Sequence, residues 1–221
     1  MSGSEHNPYN QSRTRDEDGR RFSAASARNR EPLLEVLRSV LPASGTVLEI
    51  GSGTGEHAVF LASQLPDLVF QPSDPDPDGR ESIAAWIRHS EVANVLPPLD
   101  LDSERFTAAD LGPRSAEVCA MMASNVIHIS PWSTALGLLR LAGELLPAGG
   151  PLALYGPFRR NGRHTAPSNQ EFDAMLRARD PAWGVRDLED VSAAAAERGL
   201  SLDERIEMPA NNLVVVFRRE S

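Results

Sequence analysis

Between residues 46 and 155 the sequence alternates short apolar runs with stretches whose apolar residues recur at helical spacing. TVLEI (46–50) reads as a strand, GSGTGEH follows it, and Ala58–Leu65 reads as a helix. LVFQPSD (68–74) is a second strand, and it ends in an acid. Ile83, Trp86 and Ile87 mark a further helix, and ANVLPPLDLD contains a third, weak strand with prolines at its end. The apolar run Glu117–Ile127 suits a central strand, Trp132–Leu146 a helix with one apolar stripe, and PLALYG (151–156) a fifth strand. Strands that alternate with helices pair in parallel and are covered on both faces, so the expected class is α/β, Rossmann-like and doubly wound. Residues 169–179 and 187–198 read as helices, and SLDERIEMP and NNLVVVFRR as a closing pair of strands around a turn near Ala210.

The chain has 221 residues, which at about 150 residues per domain gives one domain. Residues 1–20 are almost wholly polar and are expected to form a disordered tail, with a single domain over 21–221. Within it, 21–45 form an N-terminal segment and helix, with Pro32 in the first helical turn, and 156–186 an insertion on the substrate side. Asp and Glu outnumber Lys and Arg by 31 to 22, a net charge of −9 that disfavours non-specific nucleic-acid binding. The single cysteine, Cys119, excludes an internal disulfide, and no histidine spacing supports a metal site. No apolar run reaches 18 residues and the amino terminus carries no apolar core of a signal peptide; both point to the cytoplasm and away from a membrane.

The sharpest local signal is Glu49-Ile50-Gly51-Ser52-Gly53-Thr54-Gly55, placed after a strand and before a helix. Glycines let such a turn bend tightly and let a ligand approach the backbone. Asp74, at the end of the next strand, can accept hydrogen bonds from both hydroxyls of a ribose, so the pattern points to a nucleoside-containing cofactor. A dinucleotide fingerprint wants a third glycine one position later; here Glu56 and His57 follow, and a carboxylate on the first helical turn repels a pyrophosphate. A phosphate-free cofactor avoids that conflict, and S-adenosylmethionine is such a ligand, its sulfonium facing Glu49. An NAD(P)-linked oxidoreductase, or a binding protein without turnover, stays open as an alternative.

Ligands of open α/β sheets bind beyond the carboxyl ends of the strands. The candidates there are Asp100 for the adenine amino group with Leu101 against the ring, Asn125 and His128 where a substrate meets the cofactor methyl group, and Tyr155 for a substrate bond. His128 is the candidate base. Trp132, Arg28, Asn29, Arg163, His164 and Asn169 are candidates for the acceptor pocket, the last three on a polar loop that reads as a lid. The arginines favour an anionic small acceptor or are ordinary surface charge.

At these residues the chain resembles class I S-adenosylmethionine-dependent methyltransferases. More closely it resembles the DUF938 or UPF0585 family, also called the methyltransferase-like 26 group, over about residues 21–219. The stretches that carry the likeness are RFSAASARNREP (21–32), LEIGSGTGEHAVF (48–60), NVIHISPW (125–132), YGPF (155–158), TAPSN (165–169), DPAWGVRDLE (180–189) and MPANNL (208–213). Ala24 and Val126 stand where the family pattern has proline and methionine. The resemblance implies a seven-stranded sheet with an antiparallel last strand and S-adenosylmethionine as cofactor. It implies contacts of Glu49, Gly51, Gly53 and Gly55 with the methionine and ribose portion, Asp74 with the diol, Asp100 with the adenine, and Asn125 with cofactor or substrate; Ser52 of the same turn and Leu101 are further cofactor candidates from their positions in the sequence. The expected reaction moves a methyl group to an O, N or S nucleophile of a small molecule, in a monomer or homodimer.

Overall fold

The computed structural model describes residues 15–221. Helix α1 (Ala24–Val40) leads into β1 (Gly45–Ile50), α2 (Glu56–Gln64), β2 (Leu68–Pro72) and α3 (Pro77–Ser90). After 3₁₀ turns over Ala108–Glu117 come β3 (Val118–Ser124), α4 (Trp132–Leu145) and β4 (Pro151–Gly156). A short ribbon, β5 (Arg159–Arg160) and β6 (Arg163–His164), precedes α5 (Pro167–Arg179) and α6 (Leu188–Ala196), and β7 (Leu200–Met208) and β8 (Asn212–Arg219) end the chain.

The main sheet has the order β2-β1-β3-β4-β8-β7, with β8 antiparallel to both neighbours and the pairs from β2 to β4 parallel. The expected fold class is therefore present, with six strands in place of seven. The seventh position is occupied by residues 94–99, which lie parallel to the β2 edge and pair with it at the bridges Phe70–Val95 and Ser73–Leu99, beside side-chain bonds from Gln71 to the Pro97 carbonyl and from Asn94 to the Leu68 carbonyl. Pro97 and Pro98 fall between those bridges and have no N–H to give the ladder, which interrupts the strand.

Side-chain alternation along the strands divides the core in two. Leu48 and Ile50 of β1, Met121 and Ala123 of β3 and Phe217 of β8 pack with α4 and α6 on one face. Val47, Ala120, Met122 and Val216 pack with α1 and α2 on the other. Two close approaches explain glycines. Gly55 has φ 91° and its α-hydrogen faces Ile83, so a Cβ would lie 2.8 Å from the Ile83 backbone. Gly137 of α4 lets the loop after residue 100 lie on the helix, where a Cβ would stand 2.2 Å from the Ser103 carbonyl. Gly137→Ala is expected to destabilise the protein by about 1–3 kcal/mol through overpacking, measurable as a shift of the denaturation midpoint.

Helix α1 begins eight residues earlier than Pro32 implies. Ser23 caps it, its hydroxyl accepting the Ser26 N–H at 3.3 Å, so Pro32 lies inside the helix. The proline leaves the Arg28 carbonyl without its helical donor. Tail residues 1–14 lie outside the described residues, but 15–20 are anchored. The Arg20 guanidinium lies 4.9 Å from the Trp86 ring centre, and Arg15 pairs with Asp78 and Glu81 of α3. Composition missed these contacts because both arginines stick through partners far along the chain. Among the described residues, no helix is long and apolar enough to cross a membrane.

Candidate functional site

Strand order reverses between β1 and β3, and at their carboxyl ends lies a cavity of about 530 Å³, within the usual small-molecule range of roughly 300–1,000 Å³. Its floor is the turn after β1. Gly51, Gly53 and Gly55 all take left-handed backbone angles (φ 65°, 58° and 91°), and a Cβ on Gly53 would meet open space. Gly51, Ser52, Gly53 and Thr54 line the cavity; Gly55 stands behind them against Ile83.

Asp74 forms the wall at the tip of β2. Its two carboxylate oxygens accept the Gly53 and Asp76 N–H groups, each at 2.9 Å, leaving a lone pair on each oxygen for a ligand. Burial pushes its carboxyl above the ordinary range against those two hydrogen bonds. Glu49 is buried beneath the turn, 1% exposed and not among the residues that line the cavity, with Oε2 lacking any protein partner. Burial first, and the negative Asp74 as a lesser cause, push its carboxyl up to about 7, opposed by the Ser52 hydroxyl.

The next wall holds Leu101, Asp102 and Ser103, not Asp100. Asp100 is exposed and pairs with Arg80 at 3.0 Å. Leu101 is 1% exposed and fixes the register of the loop, so the side chains after it, Asp102 and Ser103, border the cavity while Asp100 faces solvent.

After β3, Asn125 takes a left-handed conformation (φ 61°) and turns the chain. Asn125, Val126, Ile129 and Ser130 face the cavity; His128 does not. His128 is wholly buried, its Nδ1 accepting the Arg186 N–H at 3.2 Å, its carbonyl accepting the Gly184 N–H at 2.9 Å, and its ring edge-on to Phe158. Burial, with Arg186 as a second cause, holds the imidazole down to about 3. The histidine ties the 125–130 turn to the 184–186 segment.

Helix α1 supplies the roof through Ala25, Ser26 and Asn29, and the segment before it supplies Arg21 and Ser23. These are held down by buried polar contacts: Arg21 N–H donates to Ser82 Oγ, and Ser23 N–H to the Glu56 carboxylate. Asn29 Oδ1 lies 2.7 Å from His57 Nε2. With the amide oxygen of Asn29 as acceptor, Nε2 is the donor of this contact. His57 borders the cavity, and burial, helped by Arg30, holds it down to about 4, so it is neutral at pH 7. Asn29 also meets the Tyr155 hydroxyl, which contacts Asn212 and titrates above its ordinary value, chiefly through burial.

The remaining expected pocket residues lie elsewhere. Tyr155 is buried behind Asn29; Arg28 is exposed. Trp132 faces a different cavity. Arg163 is exposed on the ribbon, His164 lies 3.5 Å from Asp173, and Asn169 is buried, donating to the Asn211 carbonyl and Thr165 Oγ1. The 160–169 loop is thus a folded ribbon and helix start rather than a lid over this cavity. In its place Trp183 borders the site. His57, Asp102 and Trp183 are among the lining residues that sequence reasoning missed; GEH directly after the glycine turn was the available signal for His57.

The strand order and its antiparallel end are those of the class I methyltransferase fold. The chain superposes on an O-methyltransferase family protein from Burkholderia thailandensis with TM-score 0.73 and 17% identity, over 89% of this chain and 58% of that one. A putative O-methyltransferase from Nostoc punctiforme gives 0.73 and 17%, over 88% and 58%. CalO1, a methyltransferase in calicheamicin biosynthesis described in its SAH bound form, gives 0.68 and 18%, over 88% and 55%. The chain spans little more than half the length of these proteins. Residues 20–219 match the family described as "Protein of unknown function (DUF938)", and the chain belongs to that family.

Proposed function

We propose that the protein is an S-adenosylmethionine-dependent methyltransferase acting on a small, uncharged acceptor. The observation that carries this reading is the Asp74 carboxylate, which shares one cavity with the Gly51–Thr54 backbone and keeps a free lone pair on each oxygen. Those residues suit a ribose diol. Glu49, with its orphaned buried oxygen, suits the cationic end of the cofactor, and Leu101 with Asp102 and Ser103 suits the adenine. The bound cofactor would supply a methyl group on a good sulfur leaving group.

The chain's own task is then to align an acceptor and to receive its proton. The far side of the cavity is made by Ser26, Asn29, Asn125, Ile129, Ser130 and Trp183, none of them charged. Of the arginines, Arg28 and Arg163 are exposed, Arg30 lies over the Phe60 ring, and Arg21, which borders the cavity, is ion-paired to Asp78. His57 takes the role of base in place of His128. It is neutral at pH 7 and borders the cavity, whereas His128 does not. The neighbours described as O-methyltransferases support an oxygen nucleophile.

Incubating the protein and S-adenosylmethionine with the small-molecule fraction of a cell extract tests this reading. A product heavier by one methylene, formed together with S-adenosylhomocysteine, is the expected result; His57→Ala should reduce its rate about 10²–10⁴-fold. His128→Ala should instead destabilise the fold by about 2–5 kcal/mol, read by denaturant titration.

A further inference from the structure

The apolar stripe of α1 runs through Leu33 and Leu37, and that of α2 through Leu61, all packed on one side of the sheet. One turn nearer its amino terminus each stripe continues into a polar side chain, Asn29 four residues before Leu33 and His57 four residues before Leu61. Both helices begin at the carboxyl ends of the strands, so these two residues meet beside the cavity, Asn29 Oδ1 2.7 Å from His57 Nε2. The sheet supplies the next member. Tyr155 of β4 pairs with Val214 of β8, and both belong to the same core as Leu33 and Leu61. Asn212 lies two residues before Val214, on the same face of its strand and diagonal to Tyr155. The Tyr155 hydroxyl thus stands between Asn29 of α1 and Asn212 of β8 and bonds to both side chains.

The far end of this chain is tied to backbone. Asn212 Nδ2 donates to the Pro209 and Ala210 carbonyls at 3.2 and 3.4 Å. The turn there, with Ala210 and Asn211 both left-handed (φ 58° and 60°), is clamped by α5: Asn169 donates to the Asn211 carbonyl at 2.9 Å, and Ser168 Oγ accepts from Asn211 Nδ2 at 3.1 Å. Two successive non-glycine residues at such angles persist only where their surroundings over-determine them. Donor and acceptor accounting then gives the chain a direction. The Asn29 oxygen is engaged by His57, which leaves its NH2 group to face the Tyr155 hydroxyl. Burial raises that hydroxyl's pKa and the Asn29 contact works against it, as donation of an amide N–H to the phenol oxygen does. An amide free to turn over would present either face to His57: the oxygen, which takes an Nε2–H, or the NH2 group, which needs a bare Nε2 and sends the hydrogen to Nδ1.

We propose that Asn29 and Tyr155 are positioning residues for His57: the Tyr155 hydroxyl fixes which face of the Asn29 amide meets the imidazole, and Asn29 thereby holds His57 as its Nε2–H tautomer, with Nδ1 left to receive a proton. That this proton comes from a methyl acceptor rests on the function proposed above; the choice of tautomer does not. The chain draws on five separate stretches of sequence, around Asn29, His57, Tyr155, Ser168–Asn169 and Asn211–Asn212, and gives the 165–169 and 208–213 segments a task at the site although neither borders the cavity.

A long-range ¹H–¹⁵N correlation spectrum of the intact ¹⁵N-labelled protein at pH 7 reads which imidazole nitrogen carries the hydrogen, with His57→Gln assigning the signals. The ring is neutral at that pH, its pKa held down to about 4 by burial and by Arg30. The parent should show Nε2–H alone. Tyr155→Phe keeps the ring in the core and removes only the hydroxyl; both tautomers should then be present, within about tenfold of each other, because about one hydrogen bond separates them. Asn29→Ala should give the same mixture. Asn29→Asp placed on Tyr155→Phe should return the hydrogen to Nε2, since a carboxylate has no N–H to present and needs no tyrosine to orient it. A purely structural role for Tyr155 would shift the denaturation midpoint and leave the tautomer alone. Hydrogen on Nδ1 in the parent, Nε2–H alone in both Tyr155→Phe and Asn29→Ala, or no return to Nε2 with Asn29→Asp overturns the proposal. Absence of a methylated product in the extract assay would count against the methyltransferase reading and would leave these spectra as they are, so the two fail separately.

Discussion

Asp74→Asn is expected to weaken S-adenosylhomocysteine binding about 100-fold, the equivalent of roughly 3 kcal/mol. Asn keeps the size of the side chain and one acceptor oxygen, so it still meets either the Gly53 or the Asp76 N–H. It replaces the second acceptor with a donor, which faces a backbone N–H and can no longer take a ribose hydroxyl. Charge-assisted hydrogen bonds are worth about 1.5–3 kcal/mol each, and two are lost or weakened together. Asp100→Asn serves as the paired control, because Asp100 is exposed and ion-paired to Arg80; its affinity should stay within about twofold of the parent. Calorimetry on the two variants gives the comparison. Equal losses at both positions would mean that the sheet-edge loop, and not the tip of β2, holds the ligand.

Glu49→Gln is expected to stabilise the protein at pH 8 while impairing it. The carboxyl is raised from 4.5 to about 7, chiefly by burial. A raised carboxyl means that the folded state prefers the neutral form. Its contribution to stability is complete below about pH 4.5 and is lost as pH rises through about 7. The cost of ionising it in place approaches roughly 3 kcal/mol by pH 8. Glutamine escapes that cost, so the variant should gain up to this amount at pH 8 and almost nothing at pH 4, measured by chemical denaturation at both values. The same charge should favour a sulfonium over a neutral thioether. The ratio of S-adenosylmethionine to S-adenosylhomocysteine affinity should therefore rise through pH 7 in the parent and stay flat in the variant. A variant less stable at pH 8, or a parent ratio that ignores pH, contradicts this account.

These two carboxylates were legible in the sequence because each lies at the carboxyl end of a strand with a clean apolar pattern, and strand ends are where an α/β sheet presents its ligands. The glycine turn was legible for the same reason. Legibility failed where the chain turns after its strand. Asn125, at φ 61°, redirects the backbone so that Val126, Ile129 and Ser130 face the cavity while Ile127 and His128 turn into the core. Sequence places His128 at a strand end but says nothing of that rotation. Asp100 failed similarly: buried Leu101 fixes which of the flanking acids faces inward, and that acid is Asp102. The roof was hidden for a different reason. Its residues, Arg21 to Asn29, are positioned by polar contacts with Ser82, Glu56 and His57, partners between 28 and 61 residues distant. No local periodicity encodes such contacts.

The most direct test of the account is calorimetric titration of the intact protein with S-adenosylhomocysteine and, separately, with NAD⁺. One saturable site of micromolar affinity for the first, and no heat of binding from the second, is the result predicted by the Asp74 diol site and by the Glu56 carboxylate at the start of α2. Saturable binding of NAD⁺, or silence toward S-adenosylhomocysteine at millimolar concentration, would contradict it.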